Sequence, residues 1–168
     1  GNGVADPLPE DTEGLSIGAL VPNFSTEATT AAVNSMGNSV DEGTSPGYIQ
    51  GRSGGQPVDP DAASSGTLLF SNEGTDPFFP TAVDDTDGSV SKTASAIGDD
   101  VSANATAMLG YCRISSANTT ITELDNHIDG EAGTSGADYN FNTLAIVSGS
   151  TVSITSLVLG QSQGSTAT

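Results

Sequence analysis

The stretch Phe141-Asn142-Thr143-Leu144-Ala145-Ile146-Val147-Ser148-Gly149-Ser150-Thr151-Val152-Ser153-Ile154-Thr155-Ser156-Leu157-Val158-Leu159 decides the fold class. Two apolar, β-branched runs flank Ser148-Gly149-Ser150, a turn-forming triplet. In the second run Val152, Ile154 and Ser156 point one way and Thr151, Ser153 and Thr155 the other. That period of two marks a strand with one buried and one wet face, and predicts a hairpin over 141–147 and 151–159.

Working towards the amino terminus, Ala107-Met108-Leu109-Gly110-Tyr111-Cys112-Arg113-Ile114 forms another strand-like run. The polar turn 115–118 and the segment 119–124 then read as a second hairpin. Shorter strands are expected at 67–70, 48–50 and 16–21. One helix is expected over about 26–36, with Ser25 as its cap, Glu27 at the positive end of its dipole and Gly37 as its stop. Between these elements, 37–66 and 71–106 are rich in Gly, Pro, Asp and Ser and read as loops, including Phe78-Phe79 between Pro77 and Pro80. The expectation is an all-β protein, a small β-sandwich or barrel-like body over 16–159 with long loops and at most one short helix. An extended arm at 1–15 precedes it and a polar tail at 160–168 follows.

Composition narrows the function. The chain has 168 residues, with 21 Asp and Glu against three Lys and Arg, a formal charge of −18. Such a chain repels phosphates and anionic lipid headgroups, which argues against nucleic-acid and membrane partners. No apolar run approaches the roughly 18 residues that cross a bilayer. The start Gly1-Asn2-Gly3-Val4-Ala5-Asp6 lacks a basic and apolar leader pattern, so no signal peptide is expected there. Three Asn-x-Ser/Thr matches, at Asn23, Asn104 and Asn118, are what chance yields in a chain this rich in Ser and Thr. Leu, Ile, Val and Phe make up about a fifth of the residues, a composition bordering on that of disordered chains. A small apolar fraction without disulfides is expected to be offset by burial against other subunits.

Several residues invite chemistry. Gly51-Arg52-Ser53-Gly54-Gly55 matches the G-x-S-x-G pattern of serine hydrolases, with Asp84, Asp85 or Asp87 and then His127 following in order. The flank Gln56-Pro57-Val58-Asp59-Pro60 cannot start the helix that motif needs, so a loop is expected instead. Glu123, Asp125, His127 and Asp129 alternate, and on one strand they would share a face. Asp125, His127 and Asp129 are therefore the candidate ligands for a divalent cation such as Ca²⁺, set against a solvated strand edge. Asp125-Asn126-His127-Ile128-Asp129-Gly130 also mimics the first half of a calcium loop, although its twelfth position is Gly136. Val83-Asp84-Asp85-Thr86-Asp87-Gly88 reads as an acidic surface turn. Lys92, the sole lysine, suits a Schiff base or an isopeptide link to an Asn, with no motif supporting either. Cys112, the sole cysteine, reads as a small core residue. No catalytic residue and no cofactor is assigned.

Tyr111-Cys112-Arg113-Ile114, followed by Thr119-Thr120-Ile121-Thr122-Glu123-Leu124, resembles a short hairpin of tailed-bacteriophage virion proteins. The two runs around Ser148-Gly149-Ser150 are similar to the closing hairpin of head-decoration, cement and fibre-type proteins. The likeness covers about a third of the chain. It implies a non-enzymatic structural protein on a virion exterior, bound to a major capsid protein lattice and often trimeric. The competing expectation is a self-assembling filament or pilus subunit on the cell surface of a marine or high-salt prokaryote. A small serine hydrolase using Ser53 and His127 is the third.

Overall fold

A computed structural model describes residues 24–40, 46–59, 61–85, 87–116 and 126–162. The expected strand at 16–21, the arm at 1–15 and the segment 119–124 lie outside the described residues.

Among the described residues the body is all-β with a single short helix, and its strands form two sheets. Helix α1 spans Thr26–Ser39, and Ser25 caps it: extended at φ −66° and ψ 157°, it accepts from the Ala28 N–H through Oγ. Gly37 does not stop the helix; the cap is Val40, whose N–H bonds the Asn38 carbonyl. Gly37 instead lets a side chain pass beneath the helix. A Cβ there would lie 2.7 Å from Lys92 Nζ and 3.0 Å from its Cδ.

The larger sheet contains β1 (Tyr48–Ser53), β2 (Leu68–Glu73), β5 (Ala107–Ser115), β6 (His127–Gly133), β7 (Tyr139–Asn140) and β8 (Ala145–Ile146). Its order is β2-β1-β5-β6-β7, with β8 joined to the start of β5. The smaller sheet runs in the order β3 (Val83–Asp84), β4 (Ser89–Thr93) and β9 (Val158–Ser162), and α1 packs on it.

One expected hairpin is corrected, and the return strand of the other, 119–124, lies outside the described residues. Besides β1 and β8, β5 pairs with β6, from Ser115↔His127 to Tyr111↔Glu131. At the second site the turn forms: Ser150 donates to the Val147 carbonyl, and Gly149 takes φ +80°. The two runs nevertheless do not pair with each other. Ala145–Ile146 pairs with β5, Val152 bridges Asp100, and Val158–Ser162 pairs with β4. Alternation specifies which side chains are buried, whereas the partner strand is chosen by tertiary packing. Gly160, Gln161 and Ser162 accordingly belong to β9 and not to the polar tail expected from 160.

The core is one cluster that includes Ile49, Phe70, Phe78, Leu109, Cys112, Ile114, Val152 and Leu157. Phe78 and Phe79, expected in a loop, are both buried, with ring centroids 4.8 Å apart. The Phe78 ring fits between Gly47 and Gly74, where added Cβ atoms would come within 2.3 and 2.0 Å of it. The stretch 97–104 lies along the outer edge of β2. Asn104 N–H donates to the Leu69 carbonyl, Gly98 N–H donates to that of Glu73, and Asp100 Oδ2 accepts from Ser71 N–H. That edge is closed to further pairing.

Candidate functional site

Register divides the larger sheet into two unlike faces. Ile49↔Ile114↔Ile128 and Gly51↔Cys112↔Gly130 line up on the core side. Gln50↔Arg113↔Asp129 and Arg52↔Tyr111↔Glu131 line up on the other. This second face is polar, and the loop joining β1 to β2 covers it. Tyr111 Oη accepts from Ser65 N–H at 2.9 Å and donates to the Ser65 carbonyl at 2.8 Å. Arg113 Nη1 donates to the Ala62 carbonyl at 3.0 Å, and Arg52 Nη2 donates to Gln50 Oε1 at 3.1 Å. Gln50 Nε2 and Arg52 Nε are buried without a hydrogen-bond partner among the described residues. Burial lowers the Arg52 pKa below the usual guanidinium value; Arg113 adds to the shift, while Tyr111 and Asp129 oppose it.

His127 and Asp129 do share a face, as their spacing predicts, and Arg113 shares it with them. Both Asp129 oxygens accept from Arg113, Oδ1 from Nε at 2.5 Å and Oδ2 from Nη2 at 2.6 Å, which occupies that carboxylate. Asp125 lies outside the described residues, and residues 127–130 form an extended strand, not a calcium loop. Among the described residues no group of three or more His, Cys, Asp or Glu is placed to hold a metal ion.

The hydrolase constellation does not assemble. Ser53 pairs with Leu109 and His127 with Ser115, six positions along β5, or about 20 Å at the usual strand rise. Ser53 Oγ accepts from Thr67 N–H, and β1 is antiparallel to both neighbours, unlike a strand-to-helix nucleophile turn. The acidic turn closes the β3–β4 hairpin. Gly88 adopts φ +85°, Asp85 Oδ1 accepts from Ser91 Oγ, and Asp87 Oδ1 accepts from Ser89 N–H and Oγ. The Ser89 hydroxyl holds the Asp87 carboxyl below its ordinary range. Lys92 is buried under α1, with Nζ donating to Asn38 Oδ1 at 3.2 Å.

Two further surface features bear on association. A groove of about 420 Å³ runs between residues 138–142, at the β7 end of the larger sheet, and residues 153–158, which lead into β9. Its lining is mixed: Ile49, Phe141, Ile154 and Leu157 are among its apolar residues, and Asp138, Asn140 and Ser156 among its polar ones. Burial holds the Tyr139 phenol in this wall well above its ordinary pKa, and Cys112, Asp129 and Asp138 add to the shift. At the other end of β5, Met108 faces Ala145 across the strands, and Met108 and Val147 are exposed.

The Arg113–Asp129 pair is not legible from sequence neighbours, which place Arg113 in an apolar strand and Asp129 on an acidic edge. The available signal was a cation inside a run of apolar strand residues, which needs a partner if its face is covered. No helix among the described residues is long and apolar enough to cross a membrane. No family model, curated protein or solved structure matches the chain.

Proposed function

We propose that this protein is a non-enzymatic structural subunit of an exterior assembly, a virion-surface protein that binds and stabilises a capsid lattice. One observation carries this reading. All three basic side chains of the chain are withdrawn from solvent: Arg113 is 0 % exposed, Lys92 1 % and Arg52 7 %. Of the 21 acids, Asp129 is buried with Arg113, so Lys and Arg contribute almost nothing to the charge presented outside. Such a coat keeps copies apart at low ionic strength, repels nucleic acid, and directs association towards a basic lattice or screened conditions. The apolar exposure at Met108 and Val147 gives a neighbouring subunit a dry contact once repulsion is screened.

Light scattering and sedimentation of the full chain across a salt series test the proposal. Association that grows with salt or divalent cations supports it; a monomer at every salt concentration counts against it. A second reading, a filament or pilus subunit, is favoured by the groove between β7 and the segment leading into β9, which suits strand exchange between copies.

A further inference from the structure

One wall of the groove carries a strand of the larger sheet and the other leads into a strand of the smaller sheet. Residues 138–142 carry β7, the last strand on the path β2-β1-β5-β6-β7. On the opposite wall, residues 153–156 make no backbone hydrogen bond to any described residue, and pairing resumes only with Leu157, whose carbonyl accepts from Ala94 N–H. Val158 then enters β9. The groove therefore lies between the β7 end of the larger sheet and the segment entering the smaller one. The wall 153–158 is six residues long, about 20 Å at the usual strand rise, so it matches an occupant of about six residues. The lining mixes apolar groups, such as Phe141 and Ile154, with polar ones, which suits an uncharged occupant with alternating side chains, and Asp138 on its rim disfavours an acidic one.

The 23 residues ahead of Phe24 contain one stretch of that length and chemistry. Ser16-Ile17-Gly18-Ala19-Leu20-Val21 is uncharged, whereas Asp6, Glu10, Asp11 and Glu13 all precede it. We infer that this groove seats residues 16–21 of a neighbouring copy as an added strand, so that the arm of one subunit joins the two sheets of the next. The inference rests on the assembly reading above and specifies its contact.

The test uses two full-length variants, Ala19→Cys and Thr155→Cys, mixed and oxidised at the salt concentration at which the wild-type protein assembles. Cys112 is buried and stays out of the reaction. The expected product is a disulfide-linked dimer whose peptides join positions 19 and 155 of different chains, at least ten times more abundant than in a mixture run at low salt. Wild-type assembly without that cross-link overturns the strand docking and leaves the assembly reading standing. Closure within one chain in an Ala19→Cys/Thr155→Cys double variant, with no link between chains, also overturns it. A wild-type protein that never assembles removes the assembly reading itself.

Discussion

Arg113 and Asp129 meet across β5 and β6 as a buried two-pronged ion pair, with Nε–Oδ1 at 2.5 Å and the two side chains 0 % and 7 % exposed. Removing one partner leaves an uncompensated charge under the β1–β2 loop. Asp129→Ala is therefore expected to lower the unfolding free energy by about 3–5 kcal/mol in urea titrations. Replacing both residues, as in Arg113→Met with Asp129→Leu, is expected to recover most of that loss. Equal losses in the single and double variants would contradict the pairing.

The same face is covered through Tyr111, whose hydroxyl both accepts from and donates to Ser65. Tyr111→Phe leaves that N–H and carbonyl without this partner, at a cost of about 1–3 kcal/mol. Hydrogen exchange resolves the effect by position. The amides of residues 61–66 are expected to exchange faster, while those of β1 and β5 keep their protection.

Burial pushes the Cys112 thiol up to about 12. The folded state thus holds its proton more tightly than the unfolded chain, whose thiol ionises near 9.0. Below that pH both states keep the proton and this group leaves stability unchanged. Between about 9 and 12 only the unfolded state loses it, so stability falls by about 1.4 kcal/mol per pH unit. Denaturation of the wild type over this range, set beside Cys112→Ala, is expected to show the extra slope only where the thiol is present. Thiol reagents at pH 8 are expected to label Cys112 only on unfolding.

The fold class, the helix with its Ser25 cap, and the positions of β1, β2 and β5 are legible in the sequence because they rest on local periodicity and capping chemistry. Partner choice is not legible. Residues 151–159 alternate as a strand should, yet Val152 and Val158 join different neighbours, because a pattern of period two names a buried face and leaves the pairing to packing. Phe78 is invisible as core because its site is made by Gly47 and Gly74, distant residues that look like turn formers. Of the candidate site residues, the shared face of His127 and Asp129 is readable from spacing, while the engagement of Asp129 by Arg113 depends on strand register.

We propose that burial of every Lys and Arg leaves an acidic coat that governs association. Sedimentation velocity of the full chain from about 0.02 M to about 1 M NaCl tests it most directly, since screening shortens from about 20 Å to about 3 Å over that range. The account predicts monomer at low salt and progressive assembly at high salt, reached at lower ionic strength with a divalent cation. Association that is unchanged across the series, or strongest at low salt, would contradict it.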